Sequence, residues 1–367
     1  MRVFIAASRP FHLIHLAREL AEKGVDTTFF SYVPNFFIKR YGIGKANHKS
    51  FFWSLLPWSI LALQKKIPGL QKYSTYKIMK KIDLKVSSQV DKCDVFIGLS
   101  GVYVESFKAA KKVNALSICD RASSHISDQC NLVKNDSTHY FPSEYIHREL
   151  AGYAIADKIA LPSIFSAESF FRHRFEQKIF INNYGVNLSR FQPSAVDDKN
   201  RRNVLFVGGW NIRKSCDLVY DLAKKYPDIT ITHAGSVDEG SDYPVGLNNF
   251  RSLGHVSNKD LYMVYSMHDV LILPSREDGF GMVLLESLAC GTPIIGSKNT
   301  GCPDIKKILK DDLSVTVLEE LTTDCLVAAI EKIVNKKTRA IFTDVEKSHF
   351  SWEKYSHRYL EFIEEHK

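Results

Sequence analysis

Residues 2–7 (RVFIAA) are a short, continuous apolar run, the pattern of a strand buried on both faces. From about Phe11 to Glu22 the apolar positions recur at helical spacing, Lys23-Gly24 supplies a stop, and Asp26–Phe30 reads as a second strand. Further strands are predicted at Val95–Gly98, Ala115–Cys119 and Lys158–Leu161, each separated by helical stretches. That alternation specifies a parallel sheet covered by helices on both faces, ending near Pro193.

The polar stretch Ser194–Arg202 reads as a linker, after which the cycle restarts. Strands are predicted at Val204–Val207, Ile229–Ala234, Val270–Leu273 and Pro293–Ile295, with helices at about Ser215–Lys225, Met282–Cys290 and within 321–346. Trp352, Tyr355, Tyr359 and Ile363 then recur at intervals of three and four, so a terminal helix over 351–367 must bury one face, and we place it back on the first lobe. The expected architecture is α/β and doubly wound twice over, with lobes at 1–195 and 200–350.

A chain of 367 residues has room for two such lobes, and its 45% hydrophobic and 25% charged residues are those of a folded enzyme and not of a disordered segment. The seven cysteines are scattered, without a CxxC pair or a Cys/His cluster, which points to a reducing compartment and excludes a zinc site of the usual spacing. The first residues lack the basic and apolar regions of an export signal, and no apolar run reaches the roughly 20 residues needed to span a bilayer. A cytoplasmic location is expected.

The chemistry concentrates in Pro274–Pro293, PSREDGFGMVLLESLACGTP, between two predicted strands. Gly279 and Gly281 allow close backbone approach to a ligand, and the free N–H groups at the tip of the helix beginning with Met282 and Val283 favour an anion such as phosphate. Glu286, about a turn into that helix, is placed to accept hydrogen bonds from a ribose diol. This segment resembles the signature of glycosyltransferase family 4, in which a carboxylate, seven residues and a Glu flank a GFG loop; here the pair is Asp278 and Glu286. The resemblance implies the two-lobed GT-B fold and a nucleoside diphosphate-sugar as co-substrate. It further implies ribose binding by Glu286 and contact of the donor with Gly279, Phe280 and Gly281. The family's first acid is normally Glu, which leaves open whether the shorter Asp278 reaches the donor-sugar hydroxyls, whether its neighbour Glu277 takes that part, or whether the donor differs.

Two more segments continue the resemblance, which runs from about Tyr145 to Pro303. Phe206–Ser215, FVGGWNIRKS, is similar to the family's glycine turn (Gly208, Gly209) and basic phosphate loop. A departing nucleoside diphosphate accumulates negative charge, and fixed cations at Lys214 and Arg213 would stabilise it. Ile181–Pro193 is similar to the phrase closing the first lobe, where a turn containing Asn187 faces the cleft. The resemblance implies retention of anomeric configuration, with the leaving phosphate assisting the incoming hydroxyl, and no metal or other cofactor.

On the acceptor side, Asp120-Arg-Ala-Ser-Ser124-His125 follows a strand and should border the cleft. His125 and Asp120 are candidates for orienting or deprotonating the acceptor hydroxyl, since His titrates near neutrality and Asp can fix its tautomer or act itself. Arg9 and His12, after the first strand, face the same cleft, while His12 and His15 have no partner identifiable from sequence. The formal charge of +8 is localised: between Lys39 and Lys92 twelve Lys/Arg stand against only Asp83 and Asp91. With the aromatic run Phe51–Leu63 and Lys65 and Lys66, that window is expected to dock on an anionic membrane surface.

The expected reaction is therefore sugar transfer to a cell-envelope polysaccharide, O-antigen, capsule or glycolipid acceptor. A sugar-nucleotide epimerase of the same architecture and a catalytically silent nucleotide-sugar-binding partner subunit are the alternatives. A dinucleotide dehydrogenase is disfavoured because neither lobe opens with GxGxxG, and nucleic-acid binding because the basic window carries no such motif. Oligomeric state has no readable signal.

Overall fold

A computed structural model describes the chain apart from residues 10, 45, 63–69, 134–140, 195–201, 310–312 and 337–338, together with the side chains of 59, 62 and 70–72. Most of the predicted linker, and Lys65 and Lys66, thus lie outside the described residues, as does the Lys72 side chain.

Two sheets form, each wholly parallel among its described strands. The first contains β1 (Arg2–Ala6), β2 (Asp26–Ser31), β3 (Asn47–Ser50), β4 (Val95–Leu99), β5 (Leu116–Asp120), β6 (Lys158–Leu161) and β7 (Ile179–Ile181), in the order β3-β2-β1-β4-β5-β6-β7. The second contains β8 (Asn203–Val207), β9 (Thr230–Ala234), β10 (Phe250–Gly254), β11 (Val270–Leu273), β12 (Ile294–Ser297) and β13 (Val315–Leu318), ordered β10-β9-β8-β11-β12-β13. Four of these strands, β3, β7, β10 and β13, were not anticipated, and they are the four sheet edges.

The central strands are apolar because helices cover both faces. Val3, Phe4, Ile5 and Ala6 are all essentially inaccessible, and in register β1 sets Val3 against Val95 and Ile5 against Ile97, while β8 sets Val204 against Val270 and Phe206 against Ile272. In each sheet the chain reverses its winding beside the first strand, between β1 and β4 and between β8 and β11. Loops leaving the carboxyl ends of strands at such switch points form the ligand crevice of open α/β sheets. Such loops carry Arg9 and His12 after β1, Gly208–Ser215 after β8 and Pro274–Gly281 after β11, and residues 121–125 leave β5, the neighbour of β4, on the same rim.

The terminal helix Trp352–His366 returns to the first lobe along helix Leu13–Glu22, burying Trp352, Tyr355, Tyr359 and Ile363. Each such side chain contributes about 1.5–3 kcal/mol by leaving water. Polar contacts fix its register: Arg358 Nε donates to Asn182 Oδ1 at 2.6 Å and its Nη2 to the Asn183 carbonyl at 2.7 Å. Trp352 lies flat on His15 with ring centroids 4.3 Å apart.

Candidate active site

In the second lobe, β8 runs into Gly208, whose φ of 137° is open to glycine but strained for other residues. Its carbonyl lies so close to Gly235 that a Cβ there would stand 1.8 Å from the oxygen. His233 Nε2–H donates to the same carbonyl at 2.9 Å, while its Nδ1 accepts from Tyr243 Oη at 2.8 Å, an arrangement that fixes the tautomer. Beyond Gly209, Asn211 Oδ1 accepts from the Lys214 amide at 3.1 Å and starts the short turn Ile212–Lys214. That turn aims Arg213 and Lys214 at the second motif. The Arg213 carbonyl accepts from the Arg276 amide at 2.9 Å, Arg213 Nη1 donates to Glu277 Oε2 at 3.1 Å, and the Lys214 ammonium pairs with Asp278.

Glu277 is buried and Asp278 half-buried, and both carboxylates are held ionised by these cations. Burial pushes the Asp278 carboxyl up, but Lys214, Arg213 and the Phe280 amide outweigh it and hold it below its ordinary value. At Glu277 burial is likewise opposed, by Arg213 and by hydrogen bonds from Ser123 and Ser124, with the same net direction. Past Gly281, at φ 79°, Met282 and Val283 open the helix Met282–Ala289. Glu286 lies on it, half-buried, with Oε2 accepting from Tyr265 Oη at 2.7 Å; burial pushes this carboxyl up.

The first lobe meets this acidic pair directly. Glu277 Oε1 accepts from Ser123 Oγ at 2.5 Å and from the Ser124 amide and hydroxyl at 3.1 Å, and Oε2 accepts from Gln129 Nε2 at 3.2 Å. Arg121 braces the loop from behind, donating to the Ser124 carbonyl at 3.1 Å, to Glu149 at 2.7 Å and to Gln129 at 2.7 Å. Gly279 is clasped in the same way, its carbonyl accepting from Ser163 Oγ at 2.5 Å and Ser166 Oγ at 3.1 Å. Phe280 is buried edge-on against Tyr184. Asp304 closes the seam, accepting from the Ile164 amide at 3.1 Å and from Asn183 Nδ2 at 3.1 Å.

The expected partnership of His125 with Asp120 does not form. Asp120 accepts instead from His12 Nε2 at 2.6 Å and from Tyr359 Oη at 2.5 Å, which gives His12 the partner that was not readable, 108 positions away. His125 points into an aromatic cluster of Tyr153, Phe170 and Phe175, stacked on His173 at 3.7 Å, and burial lowers its pKa to about 4. A histidine neutral at pH 7 and walled by rings caps the helix Ile126–Leu132 through Nδ1, a structural position. Arg9 is exposed and donates to Tyr32 Oη at 2.6 Å, and Asn187 Oδ1 accepts from Ser189 Oγ at 2.8 Å within its own turn; neither meets the acidic pair.

Among the described residues one group, His125, Asp128 and His173, brings metal-ligand atoms within 4.8 Å of one another. The two imidazoles are stacked within 16° of parallel, so their in-plane lone pairs do not converge, and Asp128 is already bonded to Arg172 and His173.

Residues 189–348 match the family described as Glycosyl transferases group 1. Over that span the second lobe is similar to the group 1 glycosyl transferases. Within that domain lie the basic turn, the GFG loop and Glu286. D-inositol 3-phosphate glycosyltransferase from Mycobacterium marinum is 28% identical over 46% of this chain and 41% of its own length. Sulfoquinovosyl transferase SQD2 from Arabidopsis thaliana is 25% identical over 45% of this chain and 31% of its own. The chain thus spans less than half the length of these curated relatives. Over the full chain the fold is that of Anabaena HepE, solved with UDP and glucose (TM-score 0.71, 14% identity, 100% of both chains). It is also that of sucrose-phosphate synthase from Thermosynechococcus elongatus (TM-score 0.75, 16% identity, 100% of this chain and 98% of that one). Both lobes together are therefore a GT-B fold.

Proposed function

We propose that this protein transfers a sugar from a nucleoside diphosphate-sugar to a cell-envelope glycan or lipid-linked acceptor, with retention of configuration and without a metal ion. The observation that carries this reading is the convergence of Arg213 and Lys214 on the acidic pair that precedes the GFG helix tip. Two half-buried cations, each paired with a carboxylate, stand beside a helix N-terminus, and together these are groups that would stabilise a departing nucleoside diphosphate. Glu286, steadied by Tyr265, suits the ribose diol. The group 1 similarity of the second lobe and the UDP and glucose bound by HepE support the donor class.

The test is a panel of UDP-, GDP- and TDP-sugars with sugar and lipid-linked acceptors, following nucleotide release and product mass. Acceptor-dependent release with a product of retained configuration is expected. Interconversion of the donor without release would establish the epimerase instead, and donor binding without any turnover the silent subunit. Glu286→Ala should weaken donor binding about tenfold, the loss of one or two good hydrogen bonds. Unchanged donor affinity would remove Glu286 from the site.

A further inference from the structure

The first lobe carries an apolar helix face that nothing in the described chain covers. Helix Phe52–Ala62 (FWSLLPWSILA) has no charged residue and is apolar nearly all round. One side is used internally: Leu55 is fully buried, and Phe51 and Trp58 pack against the same core cluster. The opposite side repeats at positions 53, 57, 60 and 61 and is open to water, with Trp53 78%, Ile60 51% and Leu61 37% exposed. Helical residues seven apart share a face, so Trp53 and Ile60 form one stripe. A soluble helix ordinarily turns polar residues that way.

The neighbouring helix Leu70–Ser87 supplies a matching charge. Lys77, Lys81 and Lys85 recur every four residues and lie over the rings of Tyr73, Trp58 and Phe51 at 5.1, 5.5 and 5.8 Å. The one acid on that helix, Asp83, is turned inward, accepting from the Glu105 and Ser106 amides at 2.9 Å and from Arg148 at 2.7 Å. The lysine row is therefore not neutralised from its own helix. The stripe begins directly after β3, whose carboxyl end lies on the same rim of the sheet as the 121–125 loop.

We propose that this face docks on an anionic lipid bilayer, with Trp53, Ile60 and Leu61 entering the interface and Lys77, Lys81 and Lys85 meeting the headgroups. An aromatic-aliphatic ridge flanked by cations is the composition that binds such an interface, and each lysine near the surface adds attraction that salt removes. A second copy of the chain would bring the same cations face to face, which disfavours that occupant. This deepens the reading above, since it sets the acceptor lobe on the surface where a lipid-linked acceptor resides.

Flotation with vesicles of phosphatidylcholine and phosphatidylglycerol in equal parts tests it, against phosphatidylcholine alone and against about 0.5 M salt. The full chain should float with the anionic vesicles only, and high salt should weaken it. Lys77→Glu/Lys81→Glu/Lys85→Glu should lower partitioning at least about tenfold, and Trp53→Ser/Ile60→Ser comparably. Thermal unfolding of each variant controls for folding, and calorimetric donor binding in the absence of lipid separates failure of docking from failure of the transferase reading. Flotation that is absent in the wild type, or unchanged in both variants, overturns the proposal. So does a wild-type dimer in sedimentation that Trp53→Ser/Ile60→Ser dissolves, since the stripe would then belong to a second copy.

Discussion

Glu277 and Arg213 face each other across 3.1 Å within the second lobe, and the same Glu277 carboxylate is hydrogen-bonded to Ser123 and Ser124 of the first. One side chain therefore ties a cation of the basic turn in the second lobe to the 121–125 loop of the first. This charge joins the two lobes together with the Gly279 and Asp304 contacts, and it links the basic turn to that seam.

Removing that charge should loosen both. Glu277→Ala takes the carboxylate acceptor from Arg213, Gln129 and two serines at a site 3% exposed, and should cost about 2–3 kcal/mol, while Glu277→Gln should cost about 1 kcal/mol. Because the folded carboxyl lies below its ordinary 4.5, the charge contributes stability that is complete above that pH and lost as the pH falls below it. Denaturant titrations should therefore show a wild-type advantage over Glu277→Gln that is constant from neutrality to about pH 5 and shrinks in more acid solution. A pH-independent difference would remove the charge from the account.

Lys214 and Asp278 separate stability from turnover. Lys214→Ala should lower kcat by about two to three orders of magnitude, the scale of a lost transition-state charge contact, and should also destabilise the fold by leaving the half-buried Asp278 without Lys214. In Lys214→Ala/Asp278→Ala the stability should largely return and the turnover should not. Joint recovery of both in the double variant would make the pair structural only.

Gly279→Ala tests the closed seam. The new Cβ would stand 1.9 Å from the Ala122 carbonyl oxygen, and neither backbone can swing aside as a side chain would. The lobes must part or the loop must shift, at about 1–3 kcal/mol, with loss of the Ser163 and Ser166 bonds. Small-angle scattering should report a larger radius of gyration for the variant, and an unchanged profile with unchanged thermal midpoint would refute the contact.

The legible and illegible parts of this chain divide by burial and by range. Central strands such as Val3–Ala6 and Val270–Leu273 were readable because both faces are buried and the sequence is continuously apolar. The edge strands Asn47–Ser50 (NHKS) and Phe250–Gly254 (FRSLG) have one neighbour each and much open surface, so their residues are polar and carry no strand pattern. In the site, Gly208, Lys214 and Glu286 lie in local motifs whose spacing is visible. The partners that complete it were not: Gln129 lies 148 positions from Glu277, Tyr359 lies 239 from Asp120, and Ser163 lies 116 from Gly279. Ser123 and Ser124 were legible as part of a polar loop at a strand end, but nothing local joins them to Glu277.

The contact of His15 with Trp352 predicts how the terminal helix responds to acid. His15 is stacked on the indole within 13° of parallel, its Nδ1 has no hydrogen-bond partner, and burial, helped by Arg18 and His12, lowers its pKa from 6.5 to about 3. The folded state therefore keeps the ring neutral where the unfolded chain would protonate it. The stability this provides is complete above pH 6.5 and is lost as the pH falls from there toward about 3. At about 1.4 kcal/mol per unit the loss reaches about 2–3 kcal/mol near pH 4.5. His15→Phe preserves a flat ring against Trp352 and removes the proton site, so its stability-against-pH slope between pH 6 and 4 should be shallower than wild type by about one proton. Hydrogen exchange should localise the difference to the helix Trp352–His366, and an identical slope in both proteins would show that another group governs the acid response.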